Sequence, residues 1–349
     1  MISAETWEPA DGITLEKNAL LAAREQVTDV VVSAGPGAGK TELLAQRADY
    51  LLTTGSCPYP RRILAISFKV DAARNIRERV RRRCGEQLAA RFDSFTFHAF
   101  AKRIVDNYRV LLTGTDALDA EYTLHGTQRI QHEQITFDDL VRLAAFILRT
   151  SPHARNAIRQ TYTHVFLDEF QDATAKQYEL LKEAFLDSSA VLTAVGDPKQ
   201  RIMKFAGALD GIMKTFADDF SASSLTLYQN FRSAPTLRRM QNRMVLVMDP
   251  PAAVDPEDIQ GADGSVEVLT FGSASEEAKG VADRIEGWLS AGVEPHEIAV
   301  LVRQQAHLVC HELMTELHAR DVPSRNEQAR QDLTAEPWPP DPRPGSGSR

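Results

Sequence analysis

Short apolar runs alternating with helix-forming stretches predict an α/β fold, a parallel sheet flanked by helices. Two further observations support this. Between the runs, Ala72, Ile76 and Val80 recur at a spacing of four, as do Leu180 and Ala184, which is the pattern of amphipathic helices. Near the start, the run Val30–Ser33 passes straight into a glycine-rich turn and then into a helix-forming stretch from Glu42 to Tyr50.

At 349 residues the chain can bury at least one large core and is long enough for two domains. With 43% hydrophobic and 25% charged residues, it belongs to neither a disordered nor a fibrous class. No apolar run approaches the roughly 20 residues needed to cross a bilayer. The beginning, with Glu5, Glu8 and Asp11, lacks the basic-then-apolar layout of a signal peptide. Cys57, Cys84 and Cys310 are scattered and give neither a metal-ligand spacing nor a disulfide framework. A cytoplasmic location with no membrane partner is expected.

The elements follow in chain order. Strands are expected at Val30–Ser33, Ile63–Phe68, His164–Asp168, Val191–Val195, Leu225–Gln229, Val266–Phe271 and Ile298–Val302. The turn after the first strand, Ala34-Gly35-Pro36-Gly37-Ala38-Gly39-Lys40-Thr41, is a phosphate cradle. Its glycines let backbone N–H groups approach phosphate oxygens, and the following helix contributes partial positive charge at its N-terminus. Lys40 can reach the β- and γ-phosphates, and the Thr41 hydroxyl can sit on Mg²⁺. The usual pattern opens with Gly, where this chain has Ala34. A glycine-rich turn alone could be an ordinary loop; the strand before it and the helix after it favour nucleotide binding.

The net charge of −8 would argue against a nucleic-acid partner if it were evenly spread. It is concentrated elsewhere: from Arg61 to Arg109 there are thirteen Lys/Arg against five Asp/Glu, including the run Arg81-Arg82-Arg83. Such a block reads either as a local basic surface for a phosphate backbone or as a solvated helix face. Residues 106–136 break the strand–helix rhythm and look like a small insertion.

Next comes Val165-Phe166-Leu167-Asp168-Glu169-Phe170-Gln171-Asp172, an apolar strand ending in carboxylates at the carboxyl edge of the sheet. Asp168 would hold Mg²⁺, and Glu169 would polarise the water that attacks the γ-phosphate. In Ala194-Val195-Gly196-Asp197-Pro198-Lys199-Gln200, Gln200 could sense the γ-phosphate. In Leu227-Tyr228-Gln229-Asn230-Phe231-Arg232-Ser233, Arg232 would stabilise transition-state charge and Phe231 could stack on the adenine. The Pro- and Asp-rich stretch 249–264 reads as a loop, and residues 334–349 as a Pro/Gly-rich tail.

Together these motifs resemble the superfamily 1 helicases of the UvrD/Rep type, from about Leu15 to Pro337. The resemblance also rests on residues 63–80 (ILAISFKVDAARNIRERV), 94–101 (SFTFHAFA) and 136–140 (TFDDL). It implies a RecA-like P-loop NTPase lobe over 1–223 and an incomplete second RecA-like lobe over 224–333. It further implies ATP and Mg²⁺ as cofactors and ATP-driven 3′-to-5′ movement on single-stranded DNA. Contacts to that strand are implied for Phe68, Lys69, Thr96, Phe97, His98 and Phe205. Bases stack on aromatic faces while cations follow the backbone.

The chain also departs from that family. Glu16 stands where an adenine-reading Gln is usual. Ile202-Met203 and Phe205-Ala206 replace a segment that would carry a DNA-contacting Arg. The later motifs, a Thr-x-His-x-x-Lys-Gly-Leu-Glu segment and a second ATP-contacting Arg, are absent. The expectation is therefore a truncated helicase of impaired activity, with a protein that supplies the missing motifs as an implied partner. The alternatives are an ATP-dependent single-stranded DNA-binding module with little turnover, or one part of a split helicase.

Overall fold

The computed structural model describes residues 2–200, 209–248, 259, 263–303 and 305–326. It divides into two compact units, Met1–Gly264 and Ser265–Arg349.

In the first unit, α1 (Lys17–Arg24) precedes β1 (Val30–Ala34), α2 (Lys40–Thr53), β2 (Arg62–Ser67), α3 (Val70–Ala89), β3 (Phe92–Thr96) and α4 (Phe97–Tyr108). The insertion contributes β4 (Leu118–His125) and β5 (His132–Thr136), which pair with each other in a separate sheet. Then come α5 (Phe137–Thr150), α6 (Pro152–Thr161), β6 (Tyr162–Leu167), α7 (Ala175–Phe185), β7 (Val191–Gly196), α8 (Ile212–Asp219), β8 (Ser223–Leu227) and α9 (Pro235–Met248).

The main sheet has the order β3-β2-β6-β7-β1-β8, and all of its pairings are parallel. Its inner strands β1, β2, β6 and β7 are mostly apolar and almost fully buried because both faces are covered. Val30, Val32, Ile63, Ala65, Phe166 and Val195 pack against α1, α2 and α3. Their neighbours Val31, Leu64, Ile66, Val165, Leu167 and Ala194 join the cluster formed with α4, α5, α7 and α8. The period-2 alternation of a strand thus sends successive side chains into two separate cores.

Five of the seven expected strands are present in the main sheet, with ends shifted by a residue or two. β3 carries Asp93 and Ser94, so no apolar run announces it; Asp93 instead pairs with Arg62 at 2.6 Å and accepts from the Tyr162 hydroxyl at 2.9 Å. Two expectations need correction. Val266–Phe271 and Ile298–Val302 pair with no strand among the described residues. Val268 and Leu301 are exposed there, because an apolar run becomes a strand only when a neighbour completes its ladder.

The boundary expected at 223/224 also moves. Ser223–Leu227 closes the first sheet beside β1, Val30 opposite Ser223 and Ala34 opposite Leu227, so the first unit continues to Gly264. The expected loop 249–264 lies almost wholly outside the described residues, and the tail 334–349 entirely so.

The second unit contains α10 (Ala274–Ser290), α11 (Ala306–Val309) and α12 (His311–Ala319). Ala278, Ala282 and Ile285 of α10 pack against Leu313 and Leu317 of α12. Arg320 bridges Asp283, Glu286 and Glu316 at 2.6–2.8 Å across the same pair of helices.

Candidate nucleotide site and nucleic-acid edge

Because every strand of the main sheet runs the same way, the segments leaving β1, β2, β3, β6, β7 and β8 emerge on one carboxyl edge. The phosphate loop leaves β1, Asp168-Glu169 leave β6, Asp197 to Gln200 leave β7, and Tyr228 to Arg232 leave β8. Register places them side by side: Ser33 lies opposite Gly196, Leu167 opposite Ala194 and Ala34 opposite Leu227.

Gly37 and Gly39 have φ of +75° and +82°, a region that glycine enters without steric penalty. Gly39 is also the N-cap of α2, so Lys40 and Thr41 open that helix. Lys40 is buried, and its Nζ donates to the Ala34 carbonyl at 3.4 Å and lies 3.7 Å from Glu169 Oε1. The loop after β8 closes on the cradle. Phe231 N–H donates to the Gly37 carbonyl at 2.9 Å, and a Cβ on Gly37 would stand 2.8 Å from that of Arg232.

Asp168 is 4% exposed, and its Oδ1 accepts from the Glu169 N–H at 3.1 Å. Its Oδ2 accepts no hydrogen bond among the described residues. Burial first, and the Glu169 charge second, push its pKa up to about 6, while Lys40 opposes them. A buried carboxylate with an open oxygen and a neighbouring like charge suits a divalent cation. No cluster of three or more His, Cys, Asp or Glu able to hold a metal exists among the described residues. Asp168 and Thr41 are the residues here that could hold Mg²⁺ together with phosphate oxygens and water, the mode this ion favours at nucleotides.

Glu169 adopts φ +50°, a strained left-handed conformation for a side chain of this kind. Sequence reading missed the residue that holds it. Gln171 Nε2 donates to Glu169 Oε2 at 2.9 Å, while Gln171 Oε1 accepts from the buried Asp197 N–H at 2.9 Å. Gln200 Nε2 in turn donates to Asp197 Oδ2 at 2.7 Å. A chain of polar contacts thus runs from Lys40 through Glu169, Gln171 and Asp197 to Gln200. Gly196 permits it, since a Cβ there would lie 2.5 Å from Gln171 Oε1. Gln171 stands within the quoted acidic motif, and that proximity was the available signal.

Glu16 does not point its carboxylate into open space; it accepts from the backbone N–H groups of Tyr228 and Gln229 at 3.0–3.3 Å. Asn230 Oδ1 accepts from Arg232 N at 2.9 Å and Ser233 N at 3.0 Å, shaping the turn that presents Arg232. The Arg232 side chain is exposed and forms no ion pair or hydrogen bond among the described residues. Phe231 is 63% exposed.

The expected DNA contacts divide. Lys69 is exposed at the end of β2, Phe68 beside it is half-buried, and the Lys69 ammonium has no partner among the described residues. Phe97 is corrected: it is 3% exposed in the core, so its ring packs against the protein and is not free to stack on a base. The Thr96 hydroxyl caps α4 by accepting from Ala99 N at 3.1 Å. His98 meets the Phe137 ring edge-on at 5.2 Å, and burial lowers its pKa. Phe205, Ile202, Met203 and Ala206 lie outside the described residues.

About half of the basic block is engaged in ion pairs. Arg79 and Arg83 pair with Glu42, Arg81 and Arg82 with Glu78, Arg62 with Asp93 and Lys102 with Asp106. The count along the sequence already included Glu78, Asp93 and Asp106; what it left out is Glu42, which folds onto Arg79 and Arg83 from α2.

A parallel sheet with a phosphate loop at one end and an acidic pair on a neighbouring strand defines a P-loop protein of RecA-like fold. The profile of the UvrD/REP helicase N-terminal domain matches residues 15–124 and 114–221, and the chain belongs to that family. It is 25% identical over 285 residues to the probable DNA helicase II homolog of Mycoplasma genitalium, covering 62% of this chain and 40% of that one. Against DNA helicase II of Escherichia coli it is 25% identical over 341 residues, covering 80% of this chain and 47% of the other. The chain thus spans less than half the length of these curated relatives. A crystal structure of the Pif1 helicase from Candida albicans superposes with a TM-score of 0.41 at 15% identity, covering 67% of this chain and 44% of that one. Among the described residues, no helix is long and apolar enough to cross a membrane.

Proposed function

We propose that the first unit binds ATP with Mg²⁺, hydrolyses it, and couples that cycle to single-stranded DNA, as a motor domain of an ATP-dependent DNA helicase. The observation that carries this reading is the gathering of Lys40, Asp168, Glu169, Gln200 and Arg232 at one sheet edge, where contacts through Gln171 and Asp197 join Lys40, Glu169 and Gln200. Lys40 and the α2 N-terminus would hold the phosphates, and Thr41 with Asp168 the ion. When bound, Mg²⁺ would supply charge neutralisation at the β- and γ-phosphates. Glu169, oriented by Gln171, would accept the proton of the attacking water. Arg232, unpaired beside the loop, would meet charge developing on the γ-phosphate. Phe231 would cover the base.

Lys69 and Phe68 support a nucleic-acid path along the carboxyl ends of β2 and β3, on the same edge as the nucleotide. Movement in the 3′-to-5′ direction belongs to this proposal through the family. Steady-state ATPase of the chain with and without single-stranded DNA tests it. Turnover stimulated by DNA and reduced roughly 10²–10⁴-fold by Glu169→Gln, with nucleotide still bound, is the expected result. Turnover unchanged by Glu169→Gln would remove the assignment.

A further inference from the structure

Glu42 stands immediately after the phosphate-binding Lys40-Thr41 pair, in the first turn of α2. Its side chain is 15% exposed and accepts hydrogen bonds from Arg83, Arg79 and Gln46. Arg83 grips it in a fork, Nε to Oε1 at 2.9 Å and Nη2 to Oε2 at 3.1 Å. Arg79 Nη1 adds a bond to Oε2 at 2.9 Å, and the buried Gln46 adds one to Oε1 at 2.9 Å. The two arginines come from α3, one turn apart, and Arg83 also reaches Asp11.

A carboxylate at this position opposes the purpose of the turn that carries it. The N-terminus of α2 attracts phosphate through its partial positive charge, and a fixed negative charge one residue beyond Thr41 works against a polyanion. We propose that Arg79 and Arg83 are positioning residues for the nucleotide. By neutralising Glu42 and turning it toward α3, they keep the first turn of α2 favourable to the triphosphate. Part of the arginine block then serves the nucleotide site and is unavailable to a DNA backbone. This inference rests on the nucleotide-site reading above.

The test is titration calorimetry of the full chain with Mg²⁺ and ADP, at low and at moderate salt. An uncompensated unit charge at roughly 10 Å, in a medium of effective dielectric about 20, changes binding on the order of tenfold. Arg79→Gln combined with Arg83→Gln is expected to weaken ADP by about that factor, less so at moderate salt, where charges are screened. Adding Glu42→Gln to the same protein is expected to restore it, which a purely structural clamp would not do.

Two milder variants keep the test decisive if the arginine pair is needed for folding. Arg83→Lys keeps the charge and should bind ADP within about twofold of the parent. Glu42→Gln alone should bind it more tightly, on the order of severalfold. Unchanged affinity in the Arg79→Gln/Arg83→Gln protein, or no recovery on adding Glu42→Gln, would overturn the proposal while leaving nucleotide binding by the parent intact. A parent chain that binds no ADP would overturn it together with the reading of the site.

Discussion

His164 shows how a single residue can carry a pH dependence that has nothing to do with catalysis. It is 3% exposed on β6, with Nδ1 2.9 Å from the Thr163 hydroxyl and Nε2 without a partner. Burial first, and the Arg47 charge second, lower its pKa to about 3. Between pH 6.5 and that value the unfolded chain takes up a proton that the folded chain refuses. Stability should therefore fall as pH drops below 6.5, with a contribution of about 1.4 kcal/mol per pH unit from this residue. Urea unfolding of the parent and of His164→Gln from pH 7.5 to 5 measures it; parallel curves would remove His164 as the source. At the phosphate loop, Lys40→Ala should weaken nucleotide binding roughly tenfold to a hundredfold, as expected for loss of a charge-assisted contact of ~1.5–3 kcal/mol. Circular dichroism should show the fold retained. Lys40, Asp168 and Glu169 were marked as candidates by residue type and spacing alone. Gln171, Glu16 and Asn230 were not, because their roles depend on backbone amides that only folding brings within reach.

At the scale of elements, helices and buried strands follow from apolar periodicity, and the layer of α4, α5 and α7 shows its energetic weight. Phe100 of α4 is 1% exposed and stacks with Phe185 of α7 at 6.4 Å between ring centroids. Phe100→Ala should cost about 3–5 kcal/mol, from lost burial and the cavity left behind. Chemical denaturation checks it, and a loss below ~1 kcal/mol would mean the layer repacks freely. Capping is equally readable: Thr136 with Asp139 and Thr174 with Gln177 form capping boxes at the starts of α5 and α7. β3 was less legible, since its polar residues are satisfied by partners from β2 and β6. Extended apolar runs near Val268 and Leu301 carry the same sequence signature as the true strands, yet have no ladder among the described residues.

At the scale of the molecule, the decisive element is β8. A chain ending at residue 223 would leave one side of β1 unpaired from Val30 to Ala34, next to the phosphate loop. An open edge of that kind favours association. The chain ending at Gly264 keeps the whole unit. The shorter chain should therefore aggregate and lose nucleotide binding, while the one ending at residue 264 should unfold in a single transition and bind nucleotide as the full chain does. Size-exclusion chromatography and titration calorimetry of the two chains decide it. Equal behaviour would mean that β8 contributes nothing to the site.

The sequence by itself determined the layered α/β architecture and the residue types of the phosphate loop, the acidic pair and the arginine after β8. These depend on local periodicity and on short motifs whose members are neighbours along the chain. Only the tertiary structure decided the strand order, the placement of β8 in the first sheet and the burial of Phe97. It also decided that Arg79 and Arg83 of α3 turn toward Glu42 of α2. The physical reason is common to all of these: partners distant in sequence satisfy backbone edges, apolar surface and charge, and no window of neighbouring residues contains them.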